Sequence, residues 1–499
     1  MPNTVPDPTS VRRRKPFLTP STGVSSDSDA DTISNSDSIK PKLVTVNAAA
    51  TKLQLHESKK LHSYHKRVHS RRTQFSARVS PLSEPNTSLR GFITFFWMGI
   101  GWYSVFTLHR SFMENGEFVR PQFLKLLGHD AQTLAIADAV LVLSCGTCVL
   151  IQGAVKHGFV GRRVASIGGH VWLVGWFVGF MMWILRKDWR WTQTGYLTLH
   201  CIAMLMKQHS YLASNSELFW KRDVLSGMVD EIRELEESKD SPVSSNASTL
   251  RRGSLSSLET DDLTVEAKVV LLKAEADSIK AELKGKWNGV EFPNNITVAN
   301  FVDYMLVPTL VYELSYPRTE KFNPSAFLER VGYTFISFFL LCTTVDQYIL
   351  PILHETHKMD FFTTVIYLIM PFMVCFMMIF FIVFECICNA FAELTCFADR
   401  EFYQDWWNSS TFDEYARRWN KPVHEFLLRH VYLESISTLH SSKQNATLLT
   451  FFVSSVFHEL AITMIGKRVR PWLFGFQMFQ IPLIWLARLE FMKRRRWFG

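Results

Sequence analysis

A histidine followed by a glutamate, His458-Glu459, lies inside Thr447 to Ile465, a segment built largely of Leu, Phe, Val, Ser and Ala. Ionisable side chains are expensive at bilayer depth, and one that stays there marks a functional site by default. A neutral imidazole can accept a proton, whereas the same ring hydrogen-bonded between two helices would only pack. This segment alone leaves both readings open. Upstream, Phe402-Tyr403-Gln404-Asp405-Trp406-Trp407-Asn408 gathers aromatics, an acid and an amide into one short stretch. Trp and Tyr collect at headgroup depth, so an interfacial belt would carry the same residues. A second polar-aromatic cluster, Arg417-Arg418-Trp419-Asn420 and then His424, fits a plain belt less well.

These residues need elements to hold them, and composition says which kind. The 499 residues are 47% hydrophobic and 14% aromatic, with 40 Phe and 15 Trp, but the apolar residues are unevenly spread. Residues 1–89 are polar, with an acidic, Ser-rich stretch from Ser25 to Asp37 and a basic one from Lys59 to Arg72, and lack the periodicity of an ordered domain. They read as a disordered cytosolic tail, and without an early apolar run no cleaved leader is expected. The net charge of +8 comes from Lys and Arg lying mostly in short stretches between apolar runs. That is the distribution of a multi-pass membrane protein and not of a nucleic-acid binder. The cysteines fall in or beside the apolar runs, so no extracellular disulfide framework is implied.

A bilayer core of about 30 Å needs roughly 20 apolar residues per helix. Eight segments approach that length, near 91–109, 132–153, 165–186, 191–213, 328–353, 364–394, 445–465 and 471–489. An all-α polytopic membrane protein with about eight transmembrane helices is therefore expected. The sixth segment is long enough to break, with Pro371 as the candidate break point, and the fourth carries Lys207 and His209. With the tail in the cytosol, alternation puts the long polar loops 214–325 and 395–444 on the cytosolic side, where CoA is found. The same count makes Lys467, Arg468 and Arg470 lumenal, against the charge rule. In the first loop, Glu217 to Glu237 and Val265 to Lys286 have helical patterns around a flexible Ser-rich insert at 241–257. Such charged helices suit a solvated hairpin or the membrane surface. Sequons at Asn295, Asn408 and Asn445 fall in loops that this topology keeps from the glycosylation machinery.

Phe-Tyr-x-Asp-Trp-Trp-Asn, then Arg-x-Trp-Asn-x-Pro-Val-His, then an intramembrane His-Glu resembles the membrane-bound O-acyltransferases, in the branch holding sterol and diacylglycerol acyltransferases. Residues 401–492, including Phe426-Leu427-Leu428-Arg429-His430-Val431-Tyr432, are most similar to the fungal sterol enzymes. Met206-Lys207-Gln208-His209-Ser210-Tyr211, Pro308-Thr309-Leu310-Val311-Tyr312-Glu313 and Tyr316-Pro317-Arg318-Thr319 agree, and the likeness covers roughly residues 90–492. The resemblance implies that residues 90–499 form the acyltransferase domain, a helical bundle around an intramembrane reaction chamber. It matches His458 to the catalytic histidine and Asn420 to its partner. It associates Phe402, Tyr403, Asp405, Trp406, Trp407 and Asn408 with acyl-CoA, and places Trp419, His424, Lys443 and Ser454 near the acyl-CoA path. It further implies acyl-CoA and a sterol as substrates, the endoplasmic reticulum membrane as location, and a homo-oligomer, dimer or tetramer. Similar enzymes have a ninth hydrophobic span after Lys493-Arg494-Arg495-Arg496, whereas this chain stops at Gly499.

The chemistry so implied is direct transfer of a long-chain acyl group to a sterol 3-hydroxyl, of the cholesterol or ergosterol type, with His458 as general base. Asn420 would donate to the developing oxyanion or hold the CoA end of the substrate. No Cys or Ser stands in a recognisable nucleophile setting, and neither a metal nor a cofactor is expected beyond acyl-CoA as co-substrate. His354-Glu355-Thr356-His357 has i, i+3 spacing, unlike the zinc motif His-Glu-x-x-His, and Cys386 and Cys388 read as packing residues. Arg417, Arg418, Lys421 and Lys443 are candidates for meeting the CoA phosphates, or are positive-inside anchors. Diacylglycerol acyltransfer is the alternative within the class. A transporter would call for paired repeats of interrupted helices, which the chain lacks, and would leave the Trp-Trp-Asn cluster without a task; a scaffold is the reading if the chain without the ninth span is inactive.

Overall fold

The computed structural model describes residues 75–81, 90–118, 128–240 and 265–487. These belong to a compact unit running from Val68 to Gly499; a second unit, Met1–Arg67, lies outside the described residues, as do the Ser-rich insert at 241–257 and the basic run at 493–496.

Helices occupy all eight positions that hydropathy marks. They are α1 (Arg90–Asn115), α2 and α3 (Ala131–Ser144 and Thr147–Lys156), α4 (Arg162–Lys187), α5 (Trp191–Asp240), α8 (Pro324–Thr344), α10 (Phe361–Phe380), α15 (Lys443–Gly466) and α16 (Trp472–Ala487). Between them come α6 (Val265–Glu282), α7 (Val298–Leu306), α9 (Leu350–Glu355), α11 (Cys388–Leu394), α12 (Phe412–Trp419), α13 (Lys421–Leu427) and α14 (Glu434–Ser437). Among the described residues, five helical runs are long and apolar enough to cross a bilayer: 131–156, 162–187, 324–358, 361–394 and 443–466. Helix α16 is apolar but shorter.

The fourth segment differs from a lipid-facing span. Helix α5 is one continuous 50-residue helix that carries 191–213 straight into the region expected as a separate cytosolic helix. Its first half is core: Leu197, Cys201, Gln208 and Tyr211 are fully buried. Lys207 is buried against protein, and its Nζ donates to the carbonyls of Tyr304 (3.0 Å), Met305 (2.8 Å) and Val307 (2.8 Å). Tyr304 and Met305 lie in the last turn of α7 and Val307 just past it, so the lysine caps the end of that helix. Glycines let neighbours close on α5. A Cβ on Gly169 of α4 would come within 3.3 Å of Leu212, and one on Gly195 within 3.3 Å of Ile465 of α15.

Beyond the core, α5 and α6 pair antiparallel as a hairpin through Lys268–Glu231 (3.2 Å), Lys273–Glu236 (2.7 Å) and Lys221–Glu282 (2.7 Å). In the sixth run the helix carries Pro371 without ending there; the distortion comes later, as a π turn at Phe381–Ile387. Asn295 is buried, and its amide donates to Asn215 and to the Tyr312 hydroxyl, both at 2.8 Å, which removes it as a sequon.

Candidate active site

Backbone pairing ties the two polar-aromatic clusters together. Gln404 N–H donates to Arg418 O (2.9 Å) and Lys421 N–H to Phe402 O (3.0 Å), so 402–404 runs beside 418–421. The motif then divides by exposure. Phe402 and Tyr403 are buried, Trp406 is half-buried in a 3-10 turn, and Asp405, Trp407 and Asn408 are exposed. The anchoring half packs on α10. Phe380 meets Tyr403 (ring centroids 4.7 Å), Trp406 (5.4 Å) and Trp419 (5.0 Å), and Phe376 stacks on Trp419 at 5.0 Å with 7° between planes. Phe376, Phe380 and Phe384 recur every fourth residue and so present one face. Trp419, expected near the acyl-CoA path, is half-buried and packs in this aromatic cluster. The Trp406 indole N–H is buried and has no partner among the described residues.

Asn420 lies between α12 and α13 with φ −142°, and its Oδ1 accepts from Val423 N–H at 3.2 Å, capping α13. The cap occupies the acceptor end of the amide, and among the described residues the Nδ2 donor end has no hydrogen bond. His424 follows in the first turn, and burial holds its imidazole below its usual pKa, with Glu425 opposing that shift.

Helix α15 carries His458, Ser454 and Lys443. Nδ1 of His458 lies 2.8 Å from the Ser454 carbonyl. A carbonyl only accepts, so Nδ1 carries a proton, and in the neutral ring the lone pair is then on Nε2. Ser454 therefore acts here through its backbone. The His458 ring is exposed on the helix face instead of being locked between helices. Its neighbour Glu459 accepts from Phe474 N–H at 3.0 Å, joining α15 to the first turn of α16. No hydrogen bond joins His458 to Asn420 among the described residues; α16 packs against both α15 and α12.

Most cations nominated for CoA phosphates are already paired. Arg417 meets Asp413 (2.9 Å), Arg418 meets Asp405 (3.0 Å) and Glu414 (2.6 Å), and Lys421 meets Glu401. Burial would raise the Glu401 pKa, but Lys421, Gln404 and Arg78 outweigh it and hold the carboxyl below its usual range. Lys443, exposed at the start of α15, has no carboxylate partner among the described residues.

The structure also assembles residues to which sequence reasoning gave no role. Ser210 Oγ lies 2.7 Å from His430 Nε2 and accepts from Tyr312 N–H at 2.8 Å. Arg429 forms an ion pair with Glu313, and His209 sits against His430 with ring centroids 5.2 Å apart. Three stretches far apart in sequence, 206–211, 308–313 and 426–432, thus converge on one core. The signal was the presence of polar residues in each stretch, without a pattern that says they meet. Burial holds His430 well below the usual imidazole pKa, with Arg429 and His209 acting in the same direction.

The model of the MBOAT, membrane-bound O-acyltransferase family, matches residues 185–499. The chain is similar to sterol O-acyltransferase 1 of Saccharomyces cerevisiae, 30% identical over 84% of this chain and 67% of the relative. It is also similar to the probable sterol O-acyltransferase 2 of Schizosaccharomyces pombe, 31% identical over 82% of each. Against diacylglycerol O-acyltransferase 1-2 of Oryza sativa subsp. japonica the identity is 37%, over 39% of this chain and 43% of the relative. The chain spans 63% and 65% of the length of the two Saccharomyces uvarum sterol O-acyltransferases.

Proposed function

This chain belongs to the membrane-bound O-acyltransferase family, and we propose that it is a sterol O-acyltransferase making steryl esters from long-chain acyl-CoA. The observation that carries the reaction is the His458 tautomer. With Nδ1 donating to the Ser454 carbonyl, Nε2 is the basic nitrogen on an exposed face of an apolar helix. An alcohol is a poor nucleophile at neutral pH. Nε2 accepts its proton as the oxygen attacks the thioester carbonyl, a contribution of roughly 10²- to 10⁴-fold. The C–S bond breaks as the tetrahedral intermediate collapses, CoA leaves as thiolate, and the imidazolium returns the proton to it. Nδ2 of Asn420 donates to the oxyanion, or steadies the CoA end, while Oδ1 stays committed to the α13 cap.

Acyl-CoA enters past the 402–408 turn, where Asp405, Trp407 and Asn408 face outward, and Lys443 is the cation that meets its phosphates. Eight crossings then enclose a chamber whose CoA entrance lies on the cytosolic side, in the endoplasmic reticulum membrane, and the enzyme works as a homo-oligomer. The extent of the similarity favours a sterol over diacylglycerol as acceptor, since the sterol relatives match over 82–85% of this chain and the rice diacylglycerol relative over 39%.

The test is expression in cells lacking their own neutral-lipid synthesis, fed labelled oleate, with steryl ester resolved from triacylglycerol. Labelled steryl ester is the expected product. Triacylglycerol alone would move the assignment to diacylglycerol acyltransfer, and well-expressed protein giving neither product would overturn it.

A further inference from the structure

Glu385 lies in the π turn of the sixth apolar run and is 1% exposed, yet every group facing it is a donor. Its Oε1 accepts from the Tyr403 hydroxyl at 2.6 Å and from the Ser80 hydroxyl. Oε2 faces Arg330 Nη1 and Asn389 Nδ2, both at 3.5 Å. A donor-only environment of this kind suits an acceptor-only side chain.

Ser80 belongs to a segment, 75–81, that fell inside the tail expected over 1–89 but is packed onto the residues just before the aromatic motif. Phe75 sits edge-on to Tyr316 (5.4 Å) and Phe397 (5.8 Å). Ser76 N–H donates to Asp399 at 3.1 Å. Arg78 exchanges backbone hydrogen bonds with Ala398 (3.0 Å) and Arg400 (2.9 Å), and its guanidinium meets Glu401 at 2.9 Å. Attachments at 397, 398, 399, 400 and 401 thus run up to Phe402, and the last residue of the series, Ser80, shares an oxygen of Glu385 with Tyr403.

We propose that residues 75–81 are a strap that fixes the 402–408 motif, with Glu385 as the positioning residue joining the strap to Tyr403. The consequence for catalysis, tighter use of acyl-CoA, rests on the reading of that motif as the acyl-CoA site. Glu385 touches no substrate in this scheme. It acts by holding Tyr403, and through it the turn that displays Trp407 and Asn408.

Two mild variants of the full chain test this, Ser80→Ala and Glu385→Gln. The first removes one hydroxyl at the strap. The second keeps the shape but turns one acceptor into a donor facing Arg330 or the hydroxyls. Backbone hydrogen exchange is followed at 398–408, with 443–466 as an internal reference, and KM is measured separately for oleoyl-CoA and sterol. Exchange at 398–408 is expected to quicken roughly three- to tenfold, the weight of one buried hydrogen bond, with 443–466 unchanged. The oleoyl-CoA KM should rise by a similar factor and the sterol KM should stay. Unchanged exchange at 398–408 in both variants, or equal quickening over 443–466, would overturn the strap. Faster local exchange with an unchanged oleoyl-CoA KM would support the strap and overturn the assignment of the motif to acyl-CoA.

Discussion

In the proposed mechanism the two ends of the Asn420 side chain have separate tasks, and that makes the residue separable by substitution. Oδ1 caps α13, a contribution of about 1 kcal/mol, and Nδ2 is the donor assigned to the reacting carbonyl or to CoA. Asn420→Asp keeps the capping oxygen and removes the donor. It should therefore leave thermal stability within about 0.5 kcal/mol of the parent while lowering turnover by roughly 10²-fold or more. Asn420→Ala should lose both. Equal turnover in the parent and in Asn420→Asp, at matched protein amounts, would leave Asn420 a cap and nothing else. The cap was not legible in the sequence, because Asn420 was singled out by a motif and the motif says nothing about which end of the amide the backbone uses. His458 was legible, since an ionisable side chain in an apolar run stands out before any fold is known. Its tautomer was not, because it depends on the turn of helix that brings the Ser454 carbonyl beneath the ring.

Among the elements, α10 is the platform of the site. Phe380 contacts Tyr403, Trp406 and Trp419 at once, so Phe380→Ala should destabilise the protein by about 3–5 kcal/mol, read as a drop in melting temperature in detergent. Phe362→Ala, on the same helix but 74% exposed, should change it little. A second prediction concerns pH. Burial holds His430 well below and His424 below the usual imidazole pKa. The unfolded chain takes up protons near pH 6.5 and the folded chain does not, so this stability is complete above about pH 6.5 and declines as pH falls below it. Melting temperature should fall between pH 7 and 5.5, and His430→Asn should fall less steeply. A flat profile in the parent would contradict the burial of both rings. Hydropathy marked all eight helical positions but did not show that α5 is enclosed by protein, because the period of apolar residues does not distinguish a lipid-facing face from one closed by protein. Lys207 was the clue: its cost at bilayer depth is removed by three carbonyls at the end of α7.

For the whole molecule, sidedness follows from the account and can be read without catalysis. If acyl-CoA arrives from the cytosol, the 241–257 insert and the start of α15 at Lys443 face the same side. A protease site placed in the insert and a single lysine-reactive probe at Lys443 should both react in sealed microsomes with no detergent. Protection of either until the vesicles are opened would contradict the arrangement of crossings. Distant pairings were the part least legible from sequence. Ser80 meets Glu385 across 305 residues and Arg78 meets Glu401 across 323, and the polar composition that argued for a tail is also what lets 75–81 satisfy so many donors and acceptors.

Acyl transfer to a sterol with His458 as base is checked with purified protein in lipid nanodiscs given labelled oleoyl-CoA and sterol, comparing the parent with His458→Ala at equal protein. Steryl ester is expected from the parent and a loss of roughly 10²-fold or more in the variant, with oleoyl-CoA binding retained. Steryl ester formed at similar rates by both proteins would contradict it.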